Sequence, residues 1–231
     1  MVISRAEDLD SMLAMYPKAA QAASNTDAYW DLLLAEKGLS FPPERLYMRV
    51  FKEEKEMEIW ACNGTEPFTL IKTYEVCMIP GQLGPKIRQG DKQVPEGFYF
   101  IDTLNPDSEF HLSMRINYPN AADLIRSKDE KDPGGDIYIH GDCYSVGCLP
   151  MQDEPIEEIF WLVAKHQAFF SGNNIDVHIF PFRMETVRLS DEANKWKSFW
   201  QQLKPVYDHF NLTFKLPAVS IDENGQYYPE Y

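Results

Sequence analysis

Residues 136–151 read DIYIHGDCYSVGCLPM. A strand-like run, Asp136 to Ile139, ends in His140-Gly141, and Cys143 and Cys148 follow at once, the second behind Gly147. The chain has only four cysteines in 231 residues, so two of them beside a histidine mark this stretch as its chemical centre. Three chemistries use such a set. His140, Cys143 and Cys148 are zinc-ligand types, but a structural site needs a fourth ligand. Cys62 and Cys77 sit in or near strand-like segments with no second knuckle, and His166 and His178 lie on other segments. A Cys143–Cys148 bridge requires the Cα atoms to approach within about 7 Å, and the C-x-x-C redox spacing is absent.

The third chemistry, a cysteine nucleophile, accounts for more of the residues. Sulfur attacks as thiolate and needs a neighbouring base. His140 at a strand end presents an imidazole beside the following turn. Gly147 before Cys148 leaves room for a carbonyl, and the amides of Gly147 and Cys148 are candidates for an oxyanion hole. Of the two cysteines, Cys148 is the better nucleophile, because a glycine precedes it and a helix follows. Cys143 reads as a small packed residue, and His111 and His178 as structural. The histidine precedes the cysteine by eight residues, which fits neither the papain-like nor the caspase order.

The wider sequence bounds the function. Hydrophobic residues make up 44% and charged residues 25%, a globular composition. The formal charge of −14, with no basic block, excludes a polyanion-binding surface, so no nucleic acid is expected. Near the helices the longest apolar run, Ile159 to Ala164, is far short of the roughly 20 residues of a membrane span. The start, MVISRAEDLDSML, carries no basic segment followed by an apolar core. It reads as a cytosolic protein or as a mature form of an exported one.

Residues 5–37 have helical spacing, with a break at Pro17 and a second helix from Asp27, a plausible N-cap, to Gly38. Strands are expected from Leu46 to Val50, Met57 to Ala61 and Thr69 to Val76, the last two joined by a turn at Asn63-Gly64. A Gly/Pro-rich loop covers 80–97. Further strands are expected at Phe98–Asp102, Phe110–Ile116 and Asp176–Phe182. Helices are expected from Asp153 to about Phe170 and from a Ser190 cap to about Phe210. The tail from Pro217 reads as loosely ordered. The class is α+β: a mostly β domain over 46–216 with flanking helices, a helical N-terminal extension over 1–45 and a tail over 217–231.

HG followed by SVGCLPM resembles the signature of the YkuD-type L,D-transpeptidases, a His-Gly and then a Ser/Thr-His-Gly-Cys segment. Here the spacer is compressed to HGDCYSVGC and Val146 replaces the second histidine, as in a YafK-like subgroup with H-G-x-C-x-S-x-G-C. GPKIRQGDKQVPEGFY, FHLSMRINYPNAAD and IDVHIFPFRM are also similar to that subgroup, and the resemblance covers roughly 46–185. It implies a YkuD-like β-sandwich with no metal or organic cofactor. Cys148 would be the nucleophile and His140 the base, with a backbone carbonyl at Gly141 or a neighbour as third member. Ser145 would brace the turn, and Gly147 with Cys148 would form the oxyanion hole. The implied reaction is attack on the carbonyl after meso-diaminopimelate in a peptidoglycan stem peptide, or on a protein–peptidoglycan link, through a thioacyl-enzyme that passes to an amine or to water. Arg115, Tyr118, Lys86 and Arg88 lie in segments expected to line the cleft, where a substrate carboxylate needs a cationic partner. The implied place is the periplasm or cell envelope after export, or the cytoplasm without it. The alternative is a catalytically silent wall-binding module of the same fold.

Overall fold

The computed structural model describes residues 6–184 and 195–231. Two helices come first, α1 (Ala6–Met15) and α2 (Pro17–Glu36). Proline has no amide hydrogen to lose at a first helical position and brings its φ preset, so Pro17 starts α2 and the helix then runs unbroken through Asp27. The expected start at Asp27 is corrected accordingly. Its carboxylate instead takes Lys165 and the Trp161 indole N–H. Gly38, at φ +73°, is the expected stop.

Three antiparallel strands follow, β1 (Arg45–Phe51), β2 (Glu56–Cys62) and β3 (Thr69–Glu75). After the 80–97 loop come β4 (Gly97–Asn105), β5 (Ser113–Ile116), a short α3 (Ala121–Arg126), β6 (Tyr138–His140) and β7 (Leu149–Pro150). Then α4 (Asp153–Phe169), β8 (Asp176–Phe180), α5 (Lys197–Thr213) and a hairpin of β9 (Ala218–Ile221) and β10 (Tyr227–Glu230) complete the chain. Strands β1 to β8 form one mixed sheet in the order β3-β2-β1-β8-β4-β5-β6-β7. Only β1–β8 and β6–β7 pair in parallel. The architecture is α+β.

Alternation assigns the two faces of the sheet. Leu46, Met48, Val50, Ile101, Met114, Ile139, Leu149, Val177 and Ile179 point to one side and form a core with α4, α1 and α2. Helix α4 is buried along most of its length because the sheet covers one flank and α2 the other. Trp30 of α2 donates to the Glu158 carbonyl at 2.8 Å. On the opposite face Phe51 and Phe180 pack under Phe199, Trp200, Leu203 and Tyr207 of α5. The tail is not loose: Asp222 and Gly225 close a turn, and Tyr227 is buried, its hydroxyl accepting from Asn120 at 2.9 Å. The Ser190 cap lies outside the described residues, as does the extreme N-terminus. No described helix is long and apolar enough to cross a membrane.

The 80–97 loop is held by a buried ion pair. Lys52 Nζ lies 2.9 Å from Glu96 Oε1, both side chains fully buried, and donates to the carbonyls of Gln82, Gly84 and Val94. Glu96 also accepts from the Gly84 amide and the Trp200 indole. Breaking such a pair from one side leaves an uncompensated buried charge. Lys52→Ala is expected to cost about 3–5 kcal/mol in urea unfolding; a loss below about 1 kcal/mol would show that this pair does not hold the loop.

Candidate active site

Strand pairing assembles the site. Ser113 pairs with His140, Arg115 with Tyr138, and Ile139 with Leu149. Register partners project to the same face, so Cys148, next to Leu149, comes beside Tyr138 on the face that carries His140. His140, Cys148, Tyr138, Ser113, Asp136 and Phe110 line one cavity of about 330 Å³.

His140 is buried, and its Nδ1 lies 2.5 Å from the Gly141 carbonyl oxygen. A carbonyl only accepts, so Nδ1 carries the proton and Nε2 keeps the lone pair. Burial holds the imidazole pKa below its usual value, partly offset by the Gly141 hydrogen bond and by Asp142. Burial also pushes the Cys148 thiol up, against a lowering hydrogen bond from the Tyr138 amide. That amide donates to Sγ at 3.3 Å, while the thiol donates to the Asp136 carbonyl at 3.6 Å. Both shifts disfavour charge, so the resting pair is thiol and neutral imidazole.

The turn between them is tightly braced. Ser145 Oγ donates to the Cys148 carbonyl at 2.9 Å and accepts from the amides of Cys148 at 2.8 Å and Gly147 at 3.2 Å. The two amides read from sequence as oxyanion donors therefore converge on a hydroxyl of their own turn, as serine side chains do in such loops. Gly147 adopts φ +152°. At Gly141 a Cβ would come within 2.7–2.8 Å of Asp153 Oδ1, His111 Cβ and the Phe110 carbonyl, so only glycine fits.

The reading of Cys143 as a small packed residue is corrected. Cys143 is not a packed free thiol, nor joined to Cys148; it is bonded to Cys77. Cys62 and Cys148 are free, and Cys62 is fully buried. With Cys143 in a disulfide and His140 Nδ1 on a carbonyl, the three zinc-ligand types do not converge. No metal-binding group of three or more such residues occurs among the described residues.

The four substrate-binding candidates separate. Arg115 lies on the cleft face, its Nε 2.9 Å from Asp102 Oδ1 and one guanidinium nitrogen 3.2 Å from Thr103 Oγ1. A bulge between Ile101 and Thr103 turns both partners toward it. Tyr118 is buried, its hydroxyl donating to the Pro133 carbonyl at 2.9 Å. Lys86 is buried and tied to Asp91 at 2.6 Å and to the Arg88 carbonyl at 2.8 Å, so it organises its own loop. Arg88 is exposed on that loop. His111 lies 2.8 Å from Glu157. His178 is buried beside Tyr47, and burial followed by Arg49 pushes its pKa down to about 3. Tyr138, Asp136 and Phe110 were not singled out in the sequence; only the register of β5, β6 and β7 brings them to the cleft.

A family model, the L,D-transpeptidase catalytic domain (YkuD), matches residues 46–177. The chain belongs to this family. The chain is 40% identical over 185 residues to the protein named "Putative L,D-transpeptidase YafK" in Escherichia coli K12, covering 79% of this chain and 72% of that one. The same protein of strain O157:H7 matches equally. The crystal structure of the helical cell shape determining protein Pgp2 from Campylobacter jejuni is similar with a TM-score of 0.49 at 17% identity, over 78% of this chain and 73% of that one. In an alanine variant of Pgp2 the TM-score is again 0.49 at 18% identity, over 72% of this chain but only 56% of that one.

Under native, non-reducing conditions iodoacetamide is expected to label this L,D-transpeptidase domain at Cys148 alone. Prior reduction should add Cys77 and Cys143 but not Cys62. Labelling of Cys143 without reductant, by peptide mass spectrometry, would contradict the disulfide.

Proposed function

We propose that the chain is a peptidoglycan-directed cysteine acyltransferase or amidase, with Cys148 as nucleophile and His140 as base. The observation that carries this is the placement of Cys148 and a neutral His140, its Nδ1 fixed by the Gly141 carbonyl, around one cavity. Nε2 takes the thiol proton as sulfur attacks the carbonyl that follows meso-diaminopimelate. A C–S bond forms, and the carbonyl oxygen becomes an oxyanion. The Tyr138 N–H, 3.3 Å from the sulfur, is a backbone donor available to that oxygen. On collapse the C–N bond breaks, and the imidazolium returns its proton to the departing amine. His140 then deprotonates the incoming amine or water as it attacks the thioester carbonyl; the C–S bond breaks, the acyl product leaves, and the imidazolium returns the proton to the Cys148 sulfur.

Family membership supports a peptidoglycan-related function. The Cys77–Cys143 disulfide supports an oxidising compartment and hence export to the envelope. The N-terminal helices buttress α4, whose first turn carries Asp153, the acceptor for the Asp142 amide at 2.8 Å in the catalytic loop.

Purified sacculi incubated with the protein and with Cys148→Ala, compared by muropeptide mass spectrometry, test this reading. New cross-links, shortened stems or released wall-linked protein are expected from the wild type alone. Identical profiles on protein-linked and protein-free sacculi would favour a wall-binding module without catalysis.

A further inference from the structure

A second cavity, of about 450 Å³, lies on the same face of the sheet as Cys148. Its floor is Phe98 and Phe100 of β4, with Asp176 of β8 beside them, Arg45 and Asn117 at its sides, and the start of the C-terminal hairpin as its roof. Phe100 pairs with Asp176 and Phe98 with His178, so these side chains share one face. A third cavity, of about 470 Å³, has Arg115, Asp102 and Tyr118 in its lining. It shares Asn117 with the distal cavity and Asp136 with the catalytic one. The three cavities thus border one another through these shared residues.

The distal cavity holds polar groups that the protein does not satisfy. Among the described residues neither the Asp176 carboxylate nor the Arg45 guanidinium makes a hydrogen bond or ion pair, although Arg45 lies over the Phe68 ring. Burial pushes the Asp176 carboxyl up to about 6, with Arg45 pulling the other way. Asn117 uses its Oδ1 on the Phe100 amide, which leaves its NH₂ group for a ligand. An aromatic floor with a carboxylate, a guanidinium and a primary amide at its edge suits a ring that has apolar C–H faces and a rim of hydroxyls.

We propose that this cavity is a saccharide subsite, holding the glycan end of the substrate whose peptide arm reaches Cys148; the proposal rests on the peptidoglycan reading above. An amide-linked N-acetyl sugar is uncharged, so it meets no repulsion from Asp176, whereas the carboxylates of a peptide arm would. The spacing agrees. Phe100 stands three strand intervals from β7, about 14 Å at the usual spacing. An extended three-residue arm covers about 10 Å, and the first sugar ring spans the rest.

The test uses the full chain in two independent arms. In the first, Cys148→Ala is titrated by NMR with a peptide-free N-acetylglucosamine–N-acetylmuramic acid disaccharide whose lactyl carboxyl is capped as a methylamide, so that the probe is uncharged. Shifts confined to Phe98, Phe100, Asn117, Asp176 and the hairpin are expected, and Phe100→Ala or Asp176→Asn should weaken binding about tenfold. In the second, Phe100→Ala should raise KM about tenfold on a disaccharide-linked stem peptide and leave turnover of a sugar-free stem unchanged. No shifts at these residues, or equal loss on both substrates, would overturn the subsite. If the wild type turns over neither substrate, the catalytic reading fails, while the disaccharide titration still decides the subsite. Asp176→Asn is close in shape and keeps the test valid if Phe100→Ala does not fold.

Discussion

Everything in the cleft depends on a parallel pairing between two strands joined by only eight residues. Parallel neighbours normally need a crossover of a dozen residues or more, yet residues 141–148 take β6 into β7 directly. The return is possible because the loop is fastened at nearly every step. Asp142 adopts φ +59° and Gly147 φ +152°. The Met151 amide reaches back to the His140 carbonyl at 2.8 Å, and the Gln152 amide to that of Asp142 at 2.9 Å. Ser145 gathers two amides and a carbonyl, and Cys143 is bonded to Cys77 at the far end of β3. Gln152 absorbs the remaining strain at φ 68°, ψ 169°, a region almost reserved for glycine, as it hands the chain to α4. Without this closure Cys148 would have no reason to sit beside His140.

The same closure sets the electrostatics. Packing the loop against β5 and the Phe110 ring, whose centre is 4.8 Å from that of His140, buries the imidazole and partly shields the Cys148 thiol. Desolvation disfavours the thiolate and the imidazolium alike. The pair is then uncharged at rest, the state from which the proposed thiol attack starts. A thiol that is not ionised at rest also resists oxidation.

The sequence made much of this legible. Alternation placed most of the sheet, and the Asp153-Glu154-Pro155 start located α4 because proline and acidic residues favour a first turn. HGDCYSVGC pointed to Cys148 and His140 through the chemistry of those residue types. The pairing of Cys77 with Cys143 was not legible, since it depends on β3 ending next to the catalytic loop in space. The inward partners of Lys86 and Tyr118, Asp91 and the Pro133 carbonyl, were not legible for a similar reason: they meet these side chains only in the folded loop. The C-terminal hairpin did leave a signal, Asn224-Gly225 between two β-prone runs, but its stability comes from docking Tyr227 against α3 and α5. Short α3 is held by the reciprocal Asn120–Asp123 capping box, a pattern too local to stand out in the sequence.

The central claim is that Cys148 and His140 rest as a neutral pair with the imidazole proton on Nδ1. Nitrogen-15 NMR of the histidine ring, followed through a pH titration of wild type and Cys148→Ala, measures this directly. The account predicts a protonated Nδ1 and a bare Nε2 at neutral pH, and a pKa below 6.5 in both proteins. A proton on Nε2, or a pKa above 6.5 that falls when the thiol is removed, would mean a thiolate–imidazolium pair and would contradict the account.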